Sequence, residues 1–128
     1  IMNFHLMVKE YQESDIMSKV EGASKHEFIQ IVLEELYNNL NILSDAITND
    51  PIRSSRKSKS FGRIITSLMI LTDSLDFKRG EPIASNLFNL YSYCKEQVLE
   101  DYKNRTVEGI NSSAAVIEDI LSAWKEIK

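Results

Sequence analysis

The stretch SKHEFIQIVLEELYNNLNILSDAITND, residues 24–50, carries the signals of one long helix and decides the fold class. Ser24 and Glu27 have the S-x-x-E spacing of a capping box, in which the serine hydroxyl accepts from an early helix N–H and the glutamate reaches back. The helix is expected to end near Asn49, because the Asp50-Pro51 pair disfavours further helical backbone. Its apolar residues recur at spacing 4-3-4-3-4, which is typical of a bundle seam: Ile29, Leu33, Leu36, Leu40, Leu43 and Ile47.

Three further helices are predicted downstream of the first. The start of the second stays open, because Asp50 as N-cap with Pro51 at the first helical position would permit an early start. Pro82 suits the first turn of a third helix, which runs to about Tyr102. Four helices with mostly short connections predict an all-α fold, an antiparallel four-helix bundle. The three later apolar stripes are Phe61, Ile64, Leu68, Leu71 and Leu75; Ile83, Leu87, Leu90, Tyr91, Cys94 and Val98; and Val107, Ile110, Ala114, Ile117, Leu121 and Trp124.

The bulk composition fits one globular domain and excludes several classes of protein. A chain of 128 residues can bury a substantial core, and we expect residues 1–22 to form an N-terminal arm and residues 23–128 the bundle. The net charge of −4 argues against a general nucleic-acid binder. No run approaches the ~18 consecutive apolar residues of a membrane span, so no membrane insertion is expected. One cysteine leaves no internal disulfide framework, and we expect a cytoplasmic protein.

Each predicted helix carries an outer set of apolar residues beside its main stripe. The apolar arc is then wider than the ~100° that a surface helix needs for one core. The outer residues either flank the core, covered by neighbouring helices or by the arm, or form an exposed patch that marks an interaction site. Helical partners laid into grooves commonly occupy such patches. The outer set is Phe28, Ile31, Ile42 and Ala46; Ile65 and Met69; Phe88 and Leu99; and Val116, Ile120, Ala123 and Ile127.

The sequence offers no residue pattern for catalysis or metal binding. Cys94 shares its stripe with apolar neighbours, and an apolar setting raises the pKa of a thiol and makes it inert. Carboxylate-bridged di-iron bundles need Glu-x-x-His on two helices, whereas neither histidine, His5 or His26, follows a glutamate at that spacing. A glycine-rich phosphate loop is also missing. We therefore expect no catalytic residue, no cofactor and no metal.

A run of basic residues follows Pro51, with no acidic residue between its members. The run is either a solvated linker or a surface that steers an acidic partner. Its members are Arg53, Arg56, Lys57, Lys59 and Arg63.

The order of these motifs resembles the family of flagellar secretion chaperones called FliS, over most of the chain. Tyr11-Gln12 is similar to the family's N-terminal Tyr-Gln, and GASKHEFIQIVLEELYNNL, residues 22–40, resembles its capped first helix. The most specific match is LDFKRGEPIASNLFNLYSY, residues 75–93: a Leu-Asp, a glycine turn, then Ile-Ala-x-Asn-Leu-x-x-Leu-Tyr-x-Tyr. Trp124 stands where the family has a tryptophan near the end of its last helix.

The resemblance implies a cytoplasmic export chaperone that holds newly made flagellin. Flagellin's C-terminal helices would lie in apolar grooves of the bundle, which prevents premature polymerisation and keeps the cargo competent for export. The N-terminal arm would lie near or over part of the same surface. An export gate or a co-chaperone would be a further partner, and the protein would be a monomer or a weak homodimer. The expected flagellin contacts are Tyr11, Phe28, Ile31, Ile42, Ile65, Met69, Phe88, Val116, Ile120 and Ile127.

Two other hypotheses stay open at this point. One is a bundle that self-associates through its outer apolar residues, as a structural or adaptor protein. The other is a small enzyme that uses Cys94 or a carboxylate. Stable oligomers that take up no flagellin would favour the first, and rapid stoichiometric labelling of the native thiol would favour the second.

Overall fold

The computed structural model describes residues 22–127, which contain four helices and no strand. The all-α fold predicted from the apolar periodicity is confirmed, and the first helix ends at the predicted residue. Of the predicted arm, all but Gly22 lies outside the described residues. The helices are α1, Lys25–Asn49; α2, Ser55–Asp73; α3, Ile83–Asn104; and α4, Glu108–Glu126.

The capping box predicted at the start of α1 is present. The Glu27 N–H donates to the Ser24 hydroxyl over 3.2 Å, and the Ser24 N–H donates to Glu27 Oε1 over 3.4 Å. Both backbone amides would otherwise lack a partner within the protein, because a helix start offers them no carbonyl. At the other end of α1, the Asp50 N–H donates to the Ala46 carbonyl over 2.9 Å.

The second helix begins at Ser55, so the early start with Asp50 as its N-cap is wrong. The cap is Ser54, whose hydroxyl accepts from the Lys57 N–H over 3.2 Å. Asp50 is engaged elsewhere, because its carboxylate accepts from Arg56 over 3.0 and 2.8 Å and from the Ser54 hydroxyl over 2.7 Å. The bond from Arg56 is the main reason why the pKa of Asp50 is lowered to about 2.

The basic run lies largely within α2, so the linker hypothesis is wrong. Arg56 also pairs with Asp45 of α1 over 2.7 Å. The Lys57 ammonium lies 5.5 Å from the centre of the Tyr102 ring on α3, at a distance that suits a cation–π contact. These two basic residues therefore tie the start of α2 to both of its neighbours.

The helices form a ring in which each packs against the next along the chain and α4 packs against α1. Stacked rings of Phe61 and Tyr102, with centroids 3.9 Å apart, join α2 to α3. Contacts between α1 and α4 move from start to end along α1 and from end to start along α4, as an antiparallel pair requires. Three hydrogen bonds mark this order: Trp124 Nε1–H to the His26 carbonyl, 3.0 Å; Tyr37 hydroxyl to Glu118, 2.9 Å; and Ser44 hydroxyl to Asn111, 2.7 Å.

The third helix buries a narrower arc than its sequence predicts. Tyr91, Cys94 and Val98 lie in the core, but Ile83 is 65% exposed and Leu90 is 36% exposed. The assignment of Ile83 and Leu90 to the core is therefore wrong. They lie at the edge of the buried arc, because only α2 and α4 pack extensively on α3.

The first helix has the opposite deviation, a buried arc wider than its main stripe. Phe28 and Ala46 of the outer set are 1% and 0% exposed, and Ile70 of α2, outside the predicted stripe, is 0% exposed. The core includes these residues because α1 and α2 pack along each other. Several residues of the predicted stripes are only half-buried: Ile47, Phe61, Leu87, Val107 and Trp124.

A buried carboxylate joins the end of α3 to the start of α4. Asp101 accepts from the Ile110 N–H over 2.8 Å and from the Thr106 hydroxyl over 2.6 Å. The N-cap residue of α4, Val107, forms no side-chain cap bond, so Asp101 caps α4 from the preceding helix. A Cβ at Gly109 would meet the Gln97 side chain first and then this carboxylate, so the glycine permits close approach of the two helices.

Candidate partner-binding grooves

An apolar groove, the α2–α3 groove, runs between α2 and α3 and holds about 230 Å³. Met69 on α2 is 49% exposed and Phe88 on α3 is 42% exposed, so both offer apolar surface to a partner. The groove is lined by Leu68, Met69, Thr72, Asp73, Phe88, Tyr91, Ser92 and Lys95.

Further apolar residues extend the α2–α3 groove at both ends. Phe77 packs edge-on against Phe88, with ring centroids 6.1 Å apart. At the other end, Ile65 lies one turn before Met69 on α2, and Leu99, 44% exposed, lies three turns after Phe88 on α3. The apolar strip is therefore several helical turns long, which suits a helical partner better than a single side chain.

A second apolar groove, the α3–α4 groove, runs along the other side of α3. At one end of it lies an open pocket of about 230 Å³, to which Leu87 of α3 and Trp124 of α4 contribute together with the start of α1 and the α2–α3 connection. The strongly exposed Ile83 also borders this pocket. The full lining is Lys25, Ile29, Ser74, Leu75, Asp76, Gly80, Ile83, Ala84, Leu87, Tyr91 and Trp124.

The register of α3 against α4 extends this groove away from the pocket. The Asp101–Ile110 bond fixes one end of the antiparallel pair, and Ile83 and Trp124 share the pocket at the other. Because both helices rise by the same amount per residue, the residues between these ends face each other in order. Leu87 and Leu90 of α3 then lie opposite Ile120 and Val116 of α4, and Ile127 follows at the pocket end, 53% exposed.

Six of the ten residues predicted to contact a partner fall beside these two grooves. Met69 and Phe88 line the α2–α3 groove, and Ile65 lies one turn before Met69. The helical register puts Val116, Ile120 and Ile127 along the α3–α4 groove. These sets flank one helix, α3, on its two sides.

The remaining four predicted contacts lie elsewhere. Ile31 and Ile42 are half-buried on α1, diagonally across the ring from α3. Phe28 is 1% exposed, so the expectation that it lies on an outer surface is wrong: it belongs to the buried cluster where α1 packs on the bundle. Tyr11 is outside the described residues.

Sequence reasoning missed three groove residues. Ile83 and Leu90 were expected in the core, and Phe77 was expected only in a turn. The signal for Ile83 and Leu90 was present, since both fall on one edge of the apolar arc of α3. For Phe77 no periodic signal exists, because it precedes the helix in the connection between α2 and α3.

A third depression, between α1 and α4, differs in chemistry from both grooves. Its charged groups already interact across the helices: the Tyr37 hydroxyl donates to Glu118 over 2.9 Å, and Lys125 lies 4.0 Å from Glu34. The space of about 300 Å³ is lined mainly by these polar side chains. A polar surface with internal partners offers little for an apolar helix to bury.

Neither the cysteine nor the potential metal ligands among the described residues form a reactive arrangement. Cys94 is fully enclosed, and burial raises the pKa of its thiol, which keeps it protonated and unreactive. Between residues 22 and 127, His, Cys, Asp and Glu side chains form no group of three that could hold a metal ion. In the same range, no helix combines the length and apolar character that crossing a bilayer requires.

Comparison with known proteins gives relatives along nearly the whole chain. The flagellar secretion chaperone FliSB of Pseudomonas aeruginosa is 26% identical over 120 residues, which cover 94% of this chain and 94% of the relative. The flagellar secretion chaperone FliS of Vibrio cholerae is 25% identical over 119 residues, with 91% and 85% covered. The protein of the same name from Salmonella typhimurium is 25% identical over 122 residues, with 94% and 88% covered.

These relatives are named as chaperones and none as an enzyme, in agreement with the expectation of a non-catalytic protein. Residues 7–128 also match the model of the family described as flagellar protein FliS. The match extends over all four helices and both grooves. The chain therefore belongs to the FliS family.

Proposed function

We propose that this protein is a cytoplasmic export chaperone that binds the C-terminal helices of flagellin in the α2–α3 and α3–α4 grooves. The observation that carries the proposal is the pair of open apolar grooves on the two sides of α3. Exposed apolar side chains gathered along a groove are typical of an interaction site, and a groove between two helices suits the apolar face of a third. The relatives are named as flagellar secretion chaperones, which supports the proposal.

The proposed mechanism is masking and not catalysis. Flagellin's terminal segments assemble the filament through apolar helix faces, so a chaperone that covers those faces prevents assembly before export. Met69 and Phe88 on one side of α3, and Ile83 and Leu90 on the other, would complete a core shared between the two chains. Release of the cargo at the export machinery would expose the same faces where assembly is wanted.

Calorimetric titration with the flagellin C-terminal region tests the proposal. Binding is expected with a clearly negative heat-capacity change, because apolar area is buried while the segment becomes ordered. The titration is run at several temperatures, so that the slope of the enthalpy gives the heat-capacity change. A value near zero, or absence of binding, would contradict binding in the grooves.

The alternative function, a self-associating bundle, uses the same apolar surface. It predicts stable oligomers that take up no flagellin, whereas the chaperone is expected as a monomer or weak homodimer that forms a complex with its cargo. Sedimentation velocity with and without the flagellin region separates the two. The same measurement, with an export-gate component or a co-chaperone added, shows whether that further partner joins the loaded complex or displaces the cargo.

We also propose that residues 1–22 act as an arm that competes with flagellin for groove surface, while residues 23–128 form the binding bundle. Removing residues 1–9 is expected to leave the bundle folded and to strengthen cargo binding or leave it unchanged, because apparent affinity scales with the fraction of chaperone in the open form. Aggregation of the free chaperone is expected to increase. Cargo affinity and free-state solubility of the truncated chain are the two measurements.

One result of the truncation would contradict the proposal that the arm competes with flagellin. If Tyr11 and its neighbours contact flagellin directly, a deletion that extends through them weakens binding without new aggregation. That result would make the arm part of the binding site and would end the competition proposal. Circular dichroism of the truncated chain is the control for folding.

A further inference from the structure

Gly62 lies in the interior of α2 and leaves an empty place on the outside of that helix. The residue is exposed, and a Cβ at this position would meet no heavy atom of another part of the described chain within 4 Å. Glycine is unfavourable inside a helix, because it has the most backbone freedom to lose when the helix forms. Packing within residues 22–127 therefore does not explain why this position lacks a side chain.

The geometry of α2 places Gly62 on the edge of the α2–α3 groove. Gly62 is seven residues before Met69, which lines the groove, and seven residues are almost two full turns, so both lie on nearly the same side of the helix. Ile65 lies between them on that side. Gly62 therefore continues the α2 edge of the groove about 10 Å beyond Met69.

The stacked rings of Phe61 and Tyr102 identify the part of α3 that lies across the groove from Gly62. Their centroids are 3.9 Å apart, and Phe61 is the residue before Gly62. The groove pairs the end of α2 with the start of α3, so the two helices are antiparallel and Gly62 lies across from the residues just before Tyr102. One of these is Leu99, which is 44% exposed. Gly62 and Leu99 therefore flank the groove at about the same level.

We propose that a helix bound in the α2–α3 groove comes closest to α2 at Gly62 and packs a large apolar side chain between Gly62 and Leu99. Glycine is commonly used where a backbone must approach a partner closely, and the distance between packed helices depends on the side chains at their contact. The occupant is a C-terminal helix of flagellin, so this inference rests on the proposed function. It adds a fixed contact point along the length of the groove.

The exposed Lys95 adds a charge requirement on the partner. Lys95 lines the groove and lies one turn before Leu99 on α3. A bound helix that covers Leu99 therefore passes the Lys95 ammonium, where a carboxylate is favourable and a second cation is not. The partner that fits is an amphipathic helix with a large apolar residue at the level of Gly62 and an Asp or Glu three or four positions from it.

The Gly62→Met variant, titrated with the flagellin C-terminal region, tests the inference. Binding is expected to weaken at least about ten-fold, because the new side chain fills the space that the cargo side chain needs. Thermal unfolding of the free chaperone is expected to shift upward, because methionine favours a helix more than glycine does and has room in the free protein. Gly62→Ala is expected to give a similar upward shift with a smaller loss of binding.

Asn41→Met is the matched control for this variant. Asn41 is exposed on α1 and lines neither groove. The change also adds bulk and favours the helix, so it is expected to raise the unfolding midpoint slightly and to leave cargo affinity unchanged. The control separates the effect of bulk beside the groove from the effect of a more stable chaperone.

A second measurement identifies the cargo side chain that packs on Gly62. Each large apolar residue of the flagellin segment is replaced in turn by alanine, and each peptide is titrated against the unchanged chaperone and against Gly62→Met. At the contact position the replacement is expected to weaken binding to the unchanged chaperone but to restore part of the binding to Gly62→Met, because the cargo then leaves room for the methionine. Such opposite effects are the signature of a direct contact in a double-mutant cycle.

The outcomes separate this inference from the function beneath it. Equal affinity of Gly62→Met and the unchanged protein, or an equal loss of affinity for Asn41→Met, overturns the inference and leaves the chaperone proposal intact. A lower unfolding midpoint for Gly62→Met also overturns it, since the glycine would then serve the fold. Tighter binding by Gly62→Met overturns it as well, since the arm and not the cargo would then pack on the glycine. Absence of binding to the unchanged protein overturns the proposed function and the inference with it.

Discussion

Met69→Glu is expected to weaken binding of the flagellin C-terminal region by at least about 100-fold. Met69 is 49% exposed in the free protein, so the charge is tolerated there, but a bound helix would cover it. A carboxylate enclosed against an apolar face without a cation costs several kcal/mol, and about 2.7 kcal/mol already corresponds to a factor of 100. Calorimetric titration of the folded variant measures the loss.

Ile52→Glu is the control for this prediction. Ile52 is 59% exposed in the connection between α1 and α2 and lines neither groove, so the same change of an exposed apolar residue to glutamate is expected to leave binding unchanged. If both variants bind equally well, the α2–α3 groove is not the binding surface. If both lose binding equally, the effect is one of general surface charge and says nothing about the groove.

Trp124→Ala is expected to lower the free energy of unfolding by about 3 kcal/mol, the lower end of the range for truncation of a large aromatic residue, because Trp124 is half-buried. Trp124 stacks on His26 with centroids 4.8 Å apart and ring planes inclined by 11°. Its indole N–H donates to the His26 carbonyl over 3.0 Å, and the His26 ring donates back to the Trp124 carbonyl over 3.1 Å. Urea denaturation of the free chaperone is the measurement.

His26→Ala measures how much of the Trp124 contribution depends on the His26 side chain. This change removes the stack and one hydrogen bond but keeps the indole and its bond to the backbone, so a loss of about 1 kcal/mol is expected. A loss below about 1 kcal/mol for Trp124→Ala would contradict the structural role and assign Trp124 chiefly to cargo binding. Equal losses for the two variants would mean that the stack, and not indole burial, ties α1 to α4.

The sequence was most informative where a signal is local. The capping box at Ser24 and the end of α1 at Asn49 follow from groups a few residues apart, and both are confirmed. The start of α2 stayed open in the sequence, where Asp50 with Pro51 permitted an early start, and the structure has Ser54 as the cap instead. The choice depended on Arg56, which occupies the Asp50 carboxylate and also pairs with α1, and such a contact across helices leaves no periodic trace.

The sequence predicted that the helices expose apolar surface to a partner, but it did not predict which apolar residues are exposed. Apolar arcs wider than one core indicated exposed apolar surface, and six of the predicted contacts do lie beside the two grooves. Which edge of an arc is buried depends on how each helix is rotated about its axis, and that rotation is set by all its neighbours together. For this reason Phe28, which was expected on an outer surface, is buried, and Leu90, which was expected in the core, is exposed.

The carboxylate of Asp101 has a mechanical consequence for the α3–α4 groove. It holds the two helices together at one end, where Gly109 also lets them approach closely, while the pocket end near Ile83 and Ile127 has no comparable clamp between α3 and α4 among the described residues. We therefore expect any widening that admits a bulky cargo side chain to be a pivot about the Asp101 end. A small rotation at the Asp101 end displaces the helices most at the pocket end. The bulkiest side chains of a bound helix would be accommodated at that pocket end.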